Sequence, residues 1–225
     1  MQGEIVGLIG PNGSGKTTLF NCITGQLLSD SGQVYKDGKD ITHWPPHRIA
    51  LMGIARTFQN ARVFEDLTTI ESLLVAAQQH QEDSIIRRLI RSPSIRIFER
   101  VAKERAEYAL EFVGLGKYRN EFANTLSYGQ RKLLSFATTI VIDPEIVLLD
   151  EPAAAVNPAM INHMKSRIQE LNQHGVTFLI VEHNMEFIMD LATRILVLDQ
   201  GRIIAEGKPC EIQHNERVLD AYFGQ

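Results

Sequence analysis

The segment from Gly10 to Thr17 constrains the fold of this chain more strongly than any other. It reads Gly-Pro-Asn-Gly-Ser-Gly-Lys-Thr, a glycine, four further residues and then Gly-Lys-Thr. The apolar run Ile5–Ile9 before it predicts a buried strand, and the apolar residues from Leu19 to Ile23 after it predict a helix. A glycine-rich loop in this setting wraps its backbone N–H groups around phosphates, and the helix N-terminus adds positive charge. The sequence therefore predicts a phosphate-binding loop.

The residues of this loop have separate expected roles. Lys16 is expected to reach the β- and γ-phosphates of a nucleotide, and Thr17 to place its hydroxyl on Mg²⁺. The glycines permit the backbone dihedrals and the close approach to phosphate that the loop requires. The residues expected to bind nucleotide here are Gly10, Pro11, Asn12, Gly13, Ser14, Gly15, Lys16, Thr17 and Thr18. The alternative is a glycine-rich turn before an unrelated helix.

A second motif follows the apolar run Ile146–Leu149, which predicts a buried strand. This strand delivers Asp150 and Glu151 to the carboxyl end of a sheet, where open α/β sheets bind their ligands. Asp150 is expected to hold Mg²⁺, and Glu151 to orient or deprotonate a water for in-line attack. The alternative is a strand that ends in two solvated acids.

The second half of the sequence alternates between apolar strands and helices. Helices are predicted at Pro158–His174 and Met185–Ala192, a strand at Val176–Val181, and a hairpin around Asp199–Arg202. A middle segment from about Asp66 to Phe122 has apolar residues at helical spacing. Apolar strands interleaved with helices indicate an α/β fold with a mainly parallel sheet that is covered on both faces.

Composition excludes several other classes of protein. The 23 Lys and Arg against 27 Asp and Glu give a net charge of −4, which provides no overall attraction to nucleic acid. No apolar run is long enough to span a membrane, and no secretory signal precedes the first strand. The 2 cysteines are too few for a disulfide framework or a metal cluster. We therefore expect a cytoplasmic protein.

Three further segments resemble motifs of ATP-binding cassette (ABC) ATPases. The sequence Leu126-Ser127-Tyr128-Gly129-Gln130 resembles their LSGGQ signature, Gln59 resembles their Q-loop glutamine, and His183 their switch histidine. Together with the loop and the Asp150-Glu151 pair, these motifs occur in the family's order over nearly the whole chain. The resemblance implies one domain over residues 1–225. It has a RecA-like core, an inserted helical subdomain at about 66–140, and a small antiparallel part truncated at the N-terminus.

The same resemblance implies a site shared between two chains that sandwich two ATP molecules. Ser127, Gly129 and Gln130 then contact the γ-phosphate held by the other chain's Lys16. Ser127 is also a natural helix N-cap, so the helix after it directs N–H groups and its dipole towards an anion. Gln59 is implied to contact Mg²⁺ or the attacking water, and His183 to lie beside the γ-phosphate. The alternatives are a capped structural helix, a solvated glutamine and a structural histidine.

Other segments are similar to the ATPase subunits of branched-chain amino-acid importers, a group whose close relatives handle urea or short amides. They are Pro45–Ala50, Ala55–Asn60, Phe64–Glu71, Glu151–Ala154 and Ala221–Gly224. The resemblance implies an ATPase that powers import through ATP-driven dimer closure. Its implied partners are a second ABC ATPase in a homo- or heterodimer, two integral membrane permeases, and a periplasmic or extracellular solute-binding protein, with no nucleic acid. Its implied place is the inner face of the cell membrane, bound through the permeases.

Other readings remain open at this point. They are a soluble ABC ATPase in repair, translation or cofactor assembly, a lipopolysaccharide-export ATPase, and a cassette that binds nucleotide without turnover. The sequence also departs from the family pattern, because 9 residues precede Gly10 where the family ordinarily carries strands with an adenine-stacking aromatic residue. No residue is therefore assigned to stack on adenine, and nucleotide affinity is expected to be about 5- to 150-fold lower than with such a stack.

Overall fold

The computed structural model describes residues 3–57, 64–77 and 93–223. The described strands are β1 (Ile5–Ile9), β2 (Tyr35–Lys36), β3 (Lys39–Asp40), β4 (Ile54–Arg56), β5 (Ile146–Asp150), β6 (Thr177–Val181), β7 (Arg194–Asp199) and β8 (Arg202–Gly207). The described α-helices are α1 (Lys16–Ile23), α2 (Pro46–Leu51), α3 (Thr69–Ala77), α4 (Pro93–Phe112), α5 (Tyr128–Ile140), α6 (Pro158–Gln173), α7 (Met185–Leu191), α8 (Pro209–Gln213) and α9 (Glu216–Phe223).

The chain falls into two compact units. The first unit comprises Met1–Gln59 together with Glu145–Gln225, and the second comprises Asn60–Pro144. The first unit contains every strand named above, and the second contains α3, α4 and α5 with short 3-10 helices at Gly116–Tyr118 and Ala123–Thr125.

A six-stranded sheet in the order β4-β5-β6-β1-β7-β8 forms the centre of the first unit. Its neighbouring strands pair in parallel except for β7 and β8, which are antiparallel, and β2 and β3 form a separate antiparallel pair. All residues of β1 are buried, as expected for a parallel strand with both faces covered. The structure confirms the predicted α/β fold with a mainly parallel sheet.

The register of the central strands determines where the loops meet. Val181 of β6 is the partner of Leu8 on one side and of Asp150 on the other. The three strands β1, β5 and β6 therefore end at the same edge of the sheet. The segments that follow them begin with Gly10, Glu151 and Glu182. The phosphate loop, the Asp150-Glu151 pair and the segment with Glu182 and His183 therefore lie at one edge.

The core of the first unit fixes helix α1 behind this edge. Phe20 of α1 is fully buried in one cluster with Leu8, Leu148 and Val181, and Ile49 of α2 belongs to the same cluster. Burying one aromatic or aliphatic side chain of this size contributes about 1.5–3 kcal/mol. The N-terminus of α1 is thus held in place directly after the glycine-rich loop.

The second unit is a helical assembly in which α3, α4 and α5 pack against one another. Leu73, Leu110 and Leu134, one from each helix, are essentially inaccessible to solvent. Both α3 and α5 begin with a capping box, formed by Thr68 with Glu71 and by Ser127 with Gln130. Among the helices in the described part of the chain, none combines the length and the apolar character needed to cross a membrane.

Candidate active site

Glycine is required at defined positions of the loop between β1 and α1. Gly10, Gly13 and Gly15 have φ values of 154°, 81° and 103°, a region that favours glycine. A Cβ on Gly10 would lie 2.0 Å from the carbonyl oxygen of Leu198 in β7, so the loop also needs glycine there to pass the neighbouring strand. The loop curls because of its own sequence and because of this close strand.

Lys16, the first residue of α1, points its ammonium group into the curl of the loop. Its Nζ donates to the carbonyl oxygens of Gly10 and Pro11, both at 2.9 Å, and to Ser14 Oγ at 3.3 Å. Burial lowers the pKa of Lys16, while the carboxylates of Glu151 and Asp150 act in the opposite direction. The ammonium is therefore a desolvated cation, a state in which it attracts an anion more strongly than it does in water.

The other predicted phosphate ligands lie in the same loop and in the first turn of α1. Ser14 is buried, and its carbonyl oxygen accepts a hydrogen bond from the Gly201 N–H at 2.9 Å. Asn12, Thr17 and Thr18 are exposed, so their side chains are available to a ligand. Free backbone N–H groups at the start of α1 add to the anion-binding character of the loop.

Tyr222 of helix α9 also contacts this loop, which the sequence reasoning missed. Burial raises the pKa of Tyr222, and a hydrogen bond with the backbone N–H of Gly10 acts in the opposite direction. The phenol therefore lies against the first residue of the phosphate loop. More than 200 residues separate the two in sequence, so no local pattern could have indicated the contact.

Asp150 is buried at the end of β5 and forms an ion pair with Arg56 at the end of β4. Arg56 Nη2 lies 2.9 Å from Asp150 Oδ2, and both side chains are less than a tenth exposed. Arg56 Nη1 donates to Asn21 Oδ1 at 2.7 Å and to Thr24 Oγ1 at 3.2 Å. Because one carboxylate oxygen is committed to Arg56, the ion pair fixes the direction of the other. Arg56 belongs to the segment Ala55–Asn60, and the sequence alone indicates no role for it.

Glu151 and His183 lie close together at the same edge. His183 Nε2 is 3.4 Å from Glu151 Oε1, and the two side chains are 42% and 20% exposed, respectively. Glu151 has φ 49°, a conformation that is uncommon for residues other than glycine, and its N–H donates to Val181 O at 2.9 Å. The structure thus brings together the two side chains that sequence analysis assigned to the attacking water and the γ-phosphate.

Glu182 precedes His183 and is buried, although sequence analysis did not single it out. Its Oε1 accepts from the Ala153 N–H at 2.6 Å, and its Oε2 accepts from the N–H groups of His183 and Asn184 at 2.9 and 3.0 Å. The side chain is 2% exposed. One carboxylate therefore joins the segment after β5 to the segment after β6.

The signature segment lies in the second unit. Ser127 is the N-cap of α5, as predicted, and accepts a hydrogen bond from the Gln130 N–H at 3.3 Å. Gln130 Oε1 accepts from the Ser127 N–H at 2.8 Å, so both polar side chains serve the capping box. Gly129 is buried in the first helical turn, while Ser127 is exposed. The N-terminus of α5 is thus well ordered by local interactions.

The residues present fit a Mg²⁺–nucleotide. Mg²⁺ is ordinarily held by one or two carboxylates, substrate phosphates and water, not by a dedicated protein cage. Thr17 and Asp150 supply a hydroxyl and a carboxylate at the sheet edge. Within the residues that the structure describes, no three His, Cys, Asp or Glu side chains form a metal cluster. Gln59, the third predicted metal ligand, lies outside the described residues.

Family models match most of the chain. The model described as ABC transporter matches residues 1–154. A second model, described as branched-chain amino acid ATP-binding cassette transporter, matches residues 202–225. The matched regions include the phosphate loop, both acidic residues of the Asp150-Glu151 pair, and helix α9.

Curated relatives match at nearly full length. The chain is 42% identical over 223 residues to the high-affinity branched-chain amino acid transport ATP-binding protein BraF of Pseudomonas aeruginosa, covering 99% of this chain and 88% of the relative. The same identity and coverage hold for the corresponding protein LivG of Escherichia coli K12. A probable branched-chain amino acid transport ATP-binding protein LivG of Archaeoglobus fulgidus is 40% identical.

Solved structures show the same fold. A nucleotide-free ATP-binding cassette from an ABC transporter superimposes with a TM-score of 0.85 at 33% identity and covers 100% of this chain and 90% of that one. An ATP-binding cassette of an ABC transporter in its ADP conformation gives 0.84 at 34% identity, covering 100% and 89%.

Proposed function

This chain belongs to the ABC transporter family of ATP-binding proteins, and on that premise we propose that it is the ATP-hydrolysing subunit of an importer for branched-chain amino acids or a related small solute. The observation that carries the proposal is the convergence of Lys16, Asp150, Glu151 and His183 at one edge of the sheet. The named relatives support the cargo class, because the proteins of Pseudomonas and Escherichia are branched-chain amino acid transport proteins.

Nucleotide binding uses the loop and the start of α1. The γ-phosphate oxygens take the place of loop carbonyls as acceptors for the Lys16 ammonium, and the backbone N–H groups of residues 13–18 bind the remaining phosphate oxygens. Thr17 and Asp150 hold Mg²⁺, which when bound neutralises charge on the phosphate oxygens. Arg56 holds the Asp150 carboxylate in position through the 2.9 Å contact.

Hydrolysis is an in-line attack by water on the γ-phosphorus. Glu151 accepts a proton from the water as the new oxygen–phosphorus bond forms and the bond to the bridging oxygen of ADP breaks. The His183 imidazole, 3.4 Å from Glu151, orients this carboxylate and contacts the γ-phosphate. Gln59 completes the set by contacting Mg²⁺ or the water.

The assembled transporter provides the remaining parts. The cassette is one domain over residues 1–225, with the helical subdomain at about 66–140. Ser127, Gly129 and Gln130 of one ATPase close on the nucleotide of a second ATPase, identical or related, and hydrolysis reopens the pair. Two permeases and a solute-binding protein bind and pass the solute, and the ATPase is held at the inner face of the membrane by the permeases.

The enzymatic proposal is tested with Glu151→Gln, because glutamine keeps the shape of the side chain and cannot accept the proton. We expect the hydrolysis rate to fall about 10²- to 10⁴-fold while calorimetry with Mg²⁺-ATP still shows binding. Glu216→Gln, at the exposed start of α9, is the matched control and should leave the rate unchanged. Absence of hydrolysis by the unmodified chain, both alone and with its permeases, would contradict the proposal.

The cargo is tested in the cells from which the chain comes. Deleting the coding sequence should abolish high-affinity uptake of labelled leucine, and the unmodified chain should restore uptake while Glu151→Gln should not. If the deletion abolishes uptake of labelled urea or amide and leaves leucine uptake intact, the cargo is the related small solute and not a branched-chain amino acid. Loss of neither would contradict the importer proposal while leaving the ATPase result to stand separately.

A further inference from the structure

We propose that Glu182 is a positioning residue for hydrolysis, one that sets the relation between Glu151 and His183 through its buried carboxylate. The inference rests on the proposed ATPase function and assigns a role to a residue that lies outside the motifs discussed above. The carboxylate of Glu182 accepts its hydrogen bonds from backbone N–H groups. It acts through the backbone of the two segments that carry the catalytic side chains.

The contacts of Glu182 are divided between these segments. Oε1 takes the Ala153 N–H at 2.6 Å, two residues after Glu151. Oε2 takes the N–H groups of His183 and Asn184, at 2.9 and 3.0 Å. A shift of either segment relative to the other therefore stretches a charge-assisted hydrogen bond inside the protein, where water does not replace it.

The turn that begins at Glu151 contains strained residues, and a hydrogen bond from outside the turn stabilises it. Glu151 and Ala155 have φ values of 49° and 56°, conformations that cost free energy in residues other than glycine. Two hydrogen bonds within this turn, from Ala154 N–H to Glu151 O and from Val156 N–H to Ala153 O, are both long at 3.3 Å. The bond from the Ala153 N–H to Glu182, at 2.6 Å, is shorter than either of these two.

The chemistry of the contacts requires a carboxylate. The three described partners of Glu182 are N–H donors, and a carboxylate only accepts hydrogen bonds. Glutamine has one accepting oxygen and one donating NH₂ group, so it must turn a donor towards the donor of Ala153 or towards those of His183 and Asn184. Glu182→Gln is therefore nearly isosteric and loosens one side of the connection.

The expected loss of activity follows from the short distance between Glu151 and His183. Glu151 and His183 are 3.4 Å apart at their reacting ends, and a displacement of about 1 Å in a catalytic geometry costs up to about 100-fold in rate. The described hydrogen bonds of Glu182 go to Ala153, His183 and Asn184, and none of these residues belongs to the phosphate loop. Loosening the connection should therefore lower turnover and leave nucleotide binding unchanged.

The test compares Glu182→Gln, Glu182→Asp and the control Glu186→Gln, an exposed acid in the first turn of α7. For Glu182→Gln we expect kcat to fall about 10- to 100-fold, with the KM for ATP and the calorimetric Kd within about twofold of the unmodified chain. Glu182→Asp keeps an acceptor-only side chain, so it should recover part of kcat. Glu186→Gln should match the unmodified chain.

A double-mutant cycle with His183→Ala separates positioning from a general structural role. If Glu182 acts through the Glu151–His183 geometry, Glu182→Gln should reduce kcat much less in the His183→Ala background than in the unmodified chain. Equal fold losses in both backgrounds, or a loss of ATP binding together with kcat, would overturn the proposal. An unmodified chain that hydrolyses no ATP would instead refute the proposed function, so the two failures are distinguishable.

Discussion

The phosphate loop and the carboxylate side of the same site differ in the sequence separation between the residues that contact one another. In the loop, Lys16 is bound by Gly10, Pro11 and Ser14, which are 6, 5 and 2 positions away. At the carboxylate edge, which we define as Arg56, Asp150, Glu151, Glu182 and His183, Arg56 meets Asp150 across 94 positions and Glu182 meets Ala153 across 29.

This difference indicates which substitutions should destabilise each part of the site. A loop shaped by its own backbone fails only when a residue no longer fits its conformation or its neighbouring strand. An edge assembled from distant segments fails when one charge loses its partner, because the remaining charge stays buried. The predictions that follow test this contrast in order of decreasing effect on stability.

The largest effect is expected for Arg56→Gln. Removing one partner of the buried Arg56–Asp150 pair leaves a carboxylate that is 4% exposed without its cation, which costs about 3–5 kcal/mol in the free energy of unfolding. Urea denaturation of the purified chain measures the difference.

The matched control for this pair is Arg119→Gln. Arg119 forms an ion pair with Glu107 at 2.8 Å, about the same length, but both side chains are more than two-fifths exposed. Its loss should cost no more than about 1 kcal/mol. Equal losses for the two variants would show that burial does not govern the carboxylate edge.

The next effect is expected for Gly10→Ala in the phosphate loop. The added Cβ would meet the Leu198 carbonyl oxygen at 2.0 Å, so the loop or β7 must move. We expect about 3 kcal/mol of lost stability from overpacking and backbone strain together, with ATP affinity falling at least about tenfold because the N–H groups move. Thermal unfolding and calorimetry measure the two quantities.

Gly32→Ala is the control for backbone strain alone. Gly32 has φ 85° and nothing within 4 Å of an added Cβ. The Gly32→Ala substitution should lower the free energy of unfolding by about 1 kcal/mol and leave ATP binding unchanged. If Gly10→Ala behaved in the same way, the close approach to β7 would not be part of what shapes the loop.

A smaller effect is expected for Ser127→Ala, which extends the contrast to the second unit. The capping box of α5 is local, since Ser127 and Gln130 are 3 positions apart. Losing the hydroxyl should cost about 1 kcal/mol in stability. Ser166→Ala, at an exposed position inside α6, should stay within about 0.5 kcal/mol. A loss as large as that of Arg56→Gln would place Ser127 in a long-range network.

What the sequence predicted follows the same division. Four predicted features depend on residues close in the chain, and the structure confirms them. They are the strand Ile5–Ile9, the helix after the glycine-rich loop, the N-cap at Ser127 and the hairpin between β7 and β8. The predicted helix Pro158–His174 ends one residue earlier, at Gln173. Spacing and turn chemistry are sufficient for such features.

What the sequence did not predict depends on contacts between distant segments. Arg56 looks like any polar residue at a strand end until β4 is paired with β5, which places it against Asp150. Glu182 looks like a solvated acid until the turn after β5 is folded over it. Tyr222 meets Gly10 only because α9 returns to the loop. Each role depends on contacts between distant segments, which no single-sequence pattern contains.

The smallest effect concerns the charge of Lys16 and has a defined direction with pH. Burial lowers its pKa, so the folded chain binds this proton less tightly than the unfolded chain does. The resulting cost to stability is fully present below the folded-state pKa and is relieved as pH rises through it towards the ordinary lysine value. The unmodified chain should therefore gain stability relative to Lys16→Met as the pH rises towards the ordinary pKa of lysine, about 10.4.

The same titration should weaken nucleotide binding, because a neutral amine no longer attracts the phosphates. Stability and ATP affinity are thus expected to change in opposite directions over the same pH interval, which distinguishes Lys16 from a group that merely holds the fold. Lys103→Met, at an exposed position of α4, corrects for general effects of alkaline solution. If stability and affinity fell together, the ammonium of Lys16 would be a structural cation of the loop, and the loop would then share the dependence on paired charge that marks the carboxylate edge.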